Sequence, residues 1–221
     1  LIRSRGLGDV YKRQLFILIL AAGCSTTQHS KIHSEIKHGN TKNVRILIQN
    51  GANIEEVDQS MWTPIHSSVR YGHEDILDLL LSSGANIEAK DSWRKTPLNR
   101  AVFFKYNLAE KLLISGAEVN TKDRHGITPL QYAVWSGRTE MVSLLIKHGA
   151  DVNVATEGSS SLHTSVSKGH YDVAEILIEN DSKLNFINVD RKTPLDIAIE
   201  LQRKKFVDLL KKNGAKRFKE L

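Results

Sequence analysis

The sequence is poor in cysteine and proline. Cys24 is the single cysteine among 221 residues, so the chain cannot form an internal disulfide or a zinc site built on several cysteines. Its four prolines and 14 glycines fall short of the excess that marks disordered or collagen-like chains. With 40% hydrophobic and 25% charged residues, the composition fits a folded domain or a repeat array.

Sequence patterns of common catalytic and metal sites are also missing. The chain contains no HExxH, P-loop, GxSxG or GxGxxG pattern. Three of its nine histidines, His29, His33 and His38, lie near the N terminus, but no cysteine or carboxylate completes a ligand set at a useful spacing. We therefore expect no enzyme activity, no cofactor and no metal; an active site without a recognisable motif is the alternative.

The positive charge is modest for a nucleic-acid-binding protein. Residues 1–14 contribute +3 of the formal net charge of +6, and such proteins usually carry a larger basic stripe. We therefore expect no nucleic-acid partner. We interpret the basic residues 211–219 as a solvated helix end that continues into a basic tail at 217–221. Binding of DNA through this tail is the alternative, and it would weaken steeply with salt.

The N-terminal region has the order of an export signal. The apolar run at 15–22 is too short to span a bilayer and is followed by small residues, Cys24 and a polar stretch. The ending LAAGC resembles a bacterial lipobox, which implies a signal peptide at 15–23, lipidation of Cys24 and a short linker at 24–29. A plain signal peptide with an inert cysteine is the alternative.

Residues 1–14 do not resemble the basic start of a signal peptide. The segment DVYKRQ at 9–14 looks like a translated sequencing adapter, so we interpret 1–14 as an assembly artefact. The lipobox resemblance implies a periplasmic protein whose only membrane contact is its lipid, and Ser25 after the cysteine favours the outer membrane. The alternative is a cytoplasmic or host-directed protein in which residues 15–24 are misread.

Two sequence markers recur with a period near 33 residues. Gly-Ala pairs start at 51, 84, 116, 149 and 214, and Asp181 stands where one further glycine is expected. The second marker reads WTPIHSSV, KTPLNRAV, ITPLQYAV, SSLHTSV and KTPLDIAI, starting at 62, 95, 127, 160 and 192. A period of this length with T-P-L-H-x-A and G-A-x-x-N resembles the ankyrin repeat.

The resemblance implies an all-α ankyrin-repeat solenoid of about six helix-turn-helix repeats with projecting β-hairpin turns, over residues 30–216. The repeats are 30–57, 58–90, 91–122, 123–154, 155–187 and 188–216. Threonines before the four prolines are expected to cap the first helices. The fifth repeat lacks this proline and has Asp181 as its cap, so we expect weak points at 154–161 and 180–183.

The histidines of the second marker have a structural explanation. His33, His66 and His163 occupy the histidine of the family's TPLH motif, and the resemblance implies that their side chains bond to backbone between repeats. His73 and His170 fall at the turn between paired helices, which is also a habit of the family.

Aromatic and arginine side chains occupy the family's groove-facing positions in repeats two to four. Trp, Tyr and Arg dominate binding hot spots, so these positions predict a protein partner bound by a monomer. In the alternative, Phe103, Phe104 and Trp135 pack into gaps between helices. The predicted partner-binding residues are Trp62, Arg70, Tyr71, Trp93, Arg100, Phe103, Arg124, His125, Tyr132 and Trp135.

Overall fold

The computed structural model describes residues 31–221, apart from the side chain of Phe104. The predicted artefact, signal peptide and lipidated Cys24 lie outside these described residues. The chain divides into two compact units, with the boundary between Asn86 and Ile87. Within residues 31–221, no helix is both long enough and apolar enough to cross a membrane.

The first unit is built from short helices that share an aliphatic core. Its helices are α1 (31–37), α2 (Thr41–Gln49), α3 (Pro64–Tyr71) and α4 (Glu74–Ser82). Helix α4 packs against both α2 and α3. Burying one aliphatic side chain contributes about 1.5–3 kcal/mol, so the shared core stabilises helices too short to persist alone. The fully buried core residues are Ile32, Ile36, Val44, Ile65, Val69, Ile76, Leu77 and Leu80.

The second unit repeats one helix pair four times. The pairs are α5 (Pro97–Phe104) with α6 (Tyr106–Ile114), α7 (Pro129–Trp135) with α8 (Thr139–Lys147), α9 (Ser161–Lys168) with α10 (Tyr171–Glu179), and α11 (Pro194–Glu200) with α12 (Lys204–Lys212). The first helices of successive pairs contact one another, and α10 contacts both α8 and α12. The predicted helix-turn-helix repetition is therefore confirmed.

Polar caps start the first helices as the sequence predicts. The side chains of Thr96, Thr128 and Thr193 each accept a hydrogen bond from the backbone N–H three residues later. Thr63 forms a reciprocal capping arrangement with His66. The fifth repeat lacks the proline, but Ser160 accepts a bond from the N–H of His163 and takes over the cap. These bonds satisfy donors that a helix start leaves unpaired.

The ends of the second helices also follow the sequence marker. Gly84, Gly116, Gly149 and Gly214 have φ between 85° and 91°, in the left-handed region. Asp181, which replaces the glycine in the fifth repeat, adopts φ 63°. The expected left-handed cap at Asp181 is therefore confirmed, although L side chains adopt this conformation at a cost.

The joint between α5 and α6 differs from the joints of the other helix pairs. Lys105 alone links the two helices and is extended, with φ −143° and ψ 92°. Gly72 and Gly169 hold the equivalent place in other repeats with φ 83°. A lysine avoids the left-handed region that these glycines use, and the connection becomes extended instead.

Four of the turns before a first helix share one geometry. Asp58, Asp91, Asp123 and Asn188 each accept two backbone N–H bonds on one side-chain oxygen, from the second and fourth residues that follow. The side chain thereby shapes the turn, as Asp and Asn often do.

The fifth repeat builds its turn differently because Ala155 replaces the aspartate. Strands β1 (Ala155–Thr156) and β2 (Ser159–Ser160) pair antiparallel across a two-residue loop. Both loop residues, Glu157 and Gly158, have positive φ, at 53° and 72°. A two-residue loop of this kind suits the twist of a hairpin. Among residues 31–221, this is the one pair of strands that forms a β-hairpin. It agrees with the prediction that the turns project as hairpins.

A side-chain bond recurs from each repeat to the next. In the second unit, Glu88, Asn120, Asn153 and Asn185 each accept a backbone N–H from 30 or 31 residues further on, at 2.7–2.9 Å. In the first unit, Glu55 accepts the N–H of Asn86 at 2.6 Å. These bonds link the side chain of one repeat to the backbone of the next at equivalent points along the array.

Candidate functional site

In the first unit, the predicted binding residues lie at the two ends of α3. Trp62 precedes the helix, and its N–H donates to Asp58 Oδ1 at 2.9 Å. The guanidinium of Arg70 lies 5.9 Å from the centre of the Trp62 ring, within the range of a cation–π contact. Tyr71 ends the helix with 42% of its side chain exposed. The structure thus brings Trp62 and Arg70 together.

In the second unit, the turns are anchored by two buried aspartates, Asp91 and Asp123, each 4% exposed. Asp91 uses its second oxygen to bind Arg100, whose Nε donates at 2.7 Å. Asp123 uses its second oxygen to accept the hydroxyl of Tyr132 at 2.5 Å. Each aspartate therefore holds a predicted binding residue that lies nine residues further along the chain. A buried charge needs such partners, because burial without them is costly.

The pKa values of Asp123 and Tyr132 both depart from their ordinary values. Burial and the neighbouring carboxylate raise the pKa of Tyr132 well above its ordinary value. Burial alone would raise the pKa of Asp123, but the bonds from Tyr132 and from two backbone N–H groups lower it overall. At neutral pH this pair is therefore a carboxylate and a neutral phenol, and the phenol's proton fixes the ring in place.

Lys95 lies over the rings of Tyr132, which Asp123 positions, and of Phe103. Its ammonium is 4.2 Å from the centre of the Tyr132 ring and 5.2 Å from that of Phe103. The two rings are themselves 4.7 Å apart, and the Asp123 carboxylate is 3.9 Å from the lysine. Burial, and next the charge of Arg100, lower the pKa of Lys95. These contacts define a compact cluster of two rings, one cation and one buried carboxylate.

A second aromatic cluster lies at the turn tips. The guanidinium of Arg124 stacks 3.7 Å from the centre of the Trp93 ring, and its backbone N–H donates to the Trp93 carbonyl at 2.9 Å. His125 lies close to this contact, 6.0 Å from the Trp93 ring. Trp93 remains 43% exposed, so a rigid aromatic face is presented to solvent.

Phe103 and Tyr132 line a cleft in the second unit with a volume of about 540 Å³. Trp135 is 56% exposed at its edge, and the ammonium of Lys168 lies 4.9 Å from the Trp135 ring centre. Trp135 is thus not packed into a gap between helices, and Phe103 is half-buried with one face toward the cleft. The lining residues are Phe103, Ile127, Gln131, Tyr132, Trp135, Thr156, Glu157, Ser159 and Thr164.

The cleft reaches further than the sequence predicts. The predicted footprint covers repeats two to four, but Thr156, Glu157, Ser159 and Thr164 of the fifth repeat also form its wall. Sequence reasoning also missed Asp91 and Asp123 as the residues that position Arg100 and Tyr132. The recurrence of Asp, or of Asn at position 188, five residues before each Thr-Pro pair was the available signal.

Two histidines of the second marker bond to backbone. His33 bonds to the Glu56 carbonyl at 3.2 Å within the first repeat, and His163 bonds to the Lys192 carbonyl of the next repeat at 3.0 Å. The expected bond between repeats is therefore confirmed at His163, whereas this bond of His33 lies within its own repeat. Burial lowers the pKa of His163, so the ring is neutral at physiological pH. Among residues 31–221, no group of three or more His, Cys, Asp or Glu side chains could hold a metal ion.

The sequence was compared with models of known protein families and with curated proteins. A family model described as ankyrin repeats (three copies) matches residues 11–91, 32–123, 98–188 and 154–218. No curated protein matches the chain in a sequence search. The matched segments overlap, and they contain every residue that lines the cleft.

Proposed function

Because the chain belongs to the ankyrin repeat family, we propose that it is a protein–protein interaction scaffold that binds its partner in the cleft of the second unit. Proteins of this family generally act as interaction scaffolds and not as enzymes. The observation that carries the proposal is a cleft of about 540 Å³ lined by Phe103, Tyr132 and Trp135. Clustered exposed aromatic side chains on a soluble fold mark contact surfaces.

Three predicted binding residues of the second unit are held in place, Tyr132 in the cleft and Arg100 and Trp93 outside its lining, and this supports binding without a large entropic cost. Asp123 fixes Tyr132, Asp91 fixes Arg100, and Arg124 holds Trp93 by stacking. A side chain that is already immobilised loses little rotamer freedom when a partner arrives, and the affinity gains accordingly. Trp62 and Arg70 of the first unit offer a further aromatic and basic contact of the same chemistry.

The test compares two matched substitutions in the second unit, Trp135→Ala at the cleft and Ile114→Ala on α6. Both side chains are exposed, at 56% and 73%, so neither change should alter the fold. A photo-crosslinking residue at position 135 would first identify the partner from an extract of the source organism. We expect Trp135→Ala to weaken its affinity at least about tenfold, as hot-spot truncations do, and Ile114→Ala to leave it unchanged. Equal affinity of both variants would show that the partner binds outside the cleft.

We also propose that Cys24 is lipidated and tethers the scaffold to the bacterial envelope, with the chain in the periplasm. The sequence LFILILAAGC at 15–24 supports this proposal. Growth with an alkyne-labelled fatty acid should label the wild-type chain and leave Cys24→Ala unlabelled. Without label on the wild type, the cytoplasmic or host-directed alternative would be favoured, and the scaffold proposal would be unaffected.

A further inference from the structure

The last repeat concentrates positive charge that the rest of the described chain lacks. Residues 203–221 contain eight Lys and Arg against two Asp and Glu, a net side-chain charge of +6. Residues 31–202 contain 19 basic and 22 acidic side chains, a net charge of −3. The positive charge therefore belongs to α12 and the segment that follows it, and not to the fold as a whole.

Six lysines present this charge to solvent. Helix α12 buries Phe206, Leu209 and Leu210, which leaves its basic side chains on the outer surface. The two arginines of the region are engaged within the fold, because Arg203 donates to the Ser167 carbonyl and Arg217 binds Asp196. The exposed residues, here called the C-terminal lysine cluster, are Lys204, Lys205, Lys211, Lys212, Lys216 and Lys219.

The stability of α12 does not explain the cluster. Lys211 and Lys212 lie in its last turn, where a cation offsets the negative end of the helix dipole. Lys204 and Lys205 lie in its first turn, where a cation opposes the positive end, and no acidic residue accompanies them in that turn. The helix dipole therefore does not account for the two lysines of the first turn.

The chemistry of the cluster favours a diffuse layer of negative charge as its binding partner. Lysine is a compact point charge without the planar fork with which arginine grips single phosphates or bases. Two exposed apolar side chains lie close to Lys219 in the sequence, with Phe218 39% and Leu221 58% exposed. Lysines flanked by exposed apolar groups suit the surface of a membrane, where anionic headgroups lie above an apolar interior.

We propose that the C-terminal lysine cluster binds the headgroup layer of an anionic phospholipid bilayer. The contact is peripheral, because the apolar face of α12 is already buried in the fold. It uses the last repeat alone and does not depend on the cleft or on its protein partner. The last repeat and the segment that follows it then hold the chain against an anionic surface.

The test measures sedimentation of the full chain with vesicles of phosphatidylcholine, with and without about one quarter phosphatidylglycerol. Neutral vesicles supply the baseline, which includes any insertion of the apolar residues 15–22. The cluster variant carries Lys204→Gln, Lys205→Gln, Lys211→Gln and Lys212→Gln. The matched control carries Lys42→Gln, Lys90→Gln, Lys122→Gln and Lys147→Gln, which removes the same charge from lysines that are exposed elsewhere.

We expect the anionic lipid to strengthen binding of the wild type and of the control. The cluster variant should lose at least about tenfold in partition onto anionic vesicles, because each lysine at such a surface contributes measurably. The additional binding of the wild type to anionic over neutral vesicles should also fall as salt is raised from about 50 to 300 mM. Equal losses in both variants, or no increment with anionic lipid, would overturn the proposal.

A duplex DNA of random sequence separates the lipid surface from other polyanions. We expect the wild type to bind anionic vesicles more tightly than this DNA at the same salt. Tighter binding to DNA that disappears in the cluster variant would assign the cluster to nucleic acid and overturn the lipid proposal.

Discussion

At the scale of single residues, Asp196 ties the last segment of the chain to α11. Its carboxylate caps the helix start through the N–H of Thr193, at 3.1 Å. It also accepts bonds from Arg217 Nε at 2.9 Å and from the backbone N–H of Phe218 at 2.7 Å. Burial alone would raise the pKa of Asp196, but these bonds outweigh it and lower the pKa to about 2.

This depressed pKa predicts a loss of stability in acid. The folded pKa of Asp196, about 2, lies below the ordinary value of 3.8, so its contribution is complete above pH 3.8 and disappears as the pH falls toward 2. Arg217→Gln removes one of these bonds and should flatten that part of the stability curve, measured by urea unfolding across this range. Lys219→Gln, an exposed neighbour, is the control and should leave the slope unchanged; a slope that Arg217→Gln does not alter would contradict the assignment.

Glu88 predicts the opposite dependence of stability on pH. Burial is the main cause that raises the pKa of this carboxyl, and the nearby charge of Glu118 adds to it. A carboxyl with a raised folded pKa stabilises the fold below its unfolded pKa, and that contribution is lost as the pH rises through the folded pKa. Glu88→Gln keeps an oxygen for the N–H of Glu118, so it should raise the free energy of unfolding at pH 7. The two proteins should converge near pH 4, and a stabilisation that persists there would have another cause.

The sequence predicts some residue roles and hides others. Capping threonines could be placed because a cap lies next to the helix that it starts. The contacts of Asp91 with Arg100 and of Asp123 with Tyr132 join residues nine positions apart, across a turn and part of a helix. Whether such a side chain reaches back to the turn depends on packing, which spacing alone does not reveal.

At the scale of elements, four of the turns before the first helices share one position with a positive φ. Met61, Arg94, Gly126 and Arg191 are equivalent, and all have φ between 56° and 76°. Residues other than glycine tolerate this region at a cost of about 1–2 kcal/mol. The Asp or Asn side chain at the start of each turn compensates by fixing the two N–H groups that the turn exposes.

Two glycine substitutions separate conformational strain from steric clash. Gly126 has φ 76° and open space where a Cβ would lie, so Gly126→Ala should lower the free energy of unfolding by about 1 kcal/mol, measured by chemical denaturation. At Gly158, with φ 72°, a Cβ would clash with the Val189 side chain. Gly158→Ala should therefore cost more, and Gly158→Ala with Val189→Ala should return to about the Gly126→Ala value. Equal costs for both single variants would argue against the clash.

Elements were predictable where the repeat pattern is intact. The helix pairs follow from the two markers, and the left-handed cap at Asp181 follows from its place in the series. The cleft's extension into the fifth repeat was not predictable. It arises because Ala155 cannot supply the aspartate bonds of the other turns, and the resulting hairpin brings Thr156 and Ser159 to the wall.

At the scale of the whole molecule, the fifth repeat remains the predicted weak point. Ser160 restores its helix cap, but Asp181 keeps a strained φ of 63° and the turn lacks an aspartate acceptor. Native-state hydrogen exchange should therefore be faster at 154–161 and 180–183 than at the equivalent 122–129 and 148–151, by about tenfold or more. Equal protection in the two repeats would show that the hairpin and the Ser160 cap compensate fully.

The bonds from each repeat to the next have a consequence for how such a chain can change length. Asn120, Asn153 and Asn185 each bind backbone one repeat further on, at equivalent points of successive repeats. A tandem duplication of one repeat in the gene would create one new junction, at which the repeat's own acceptor would face the equivalent donor in its copy. Such an event would be nearly silent for folding, so the array can lengthen by recombination while the residues of the cleft keep their neighbours.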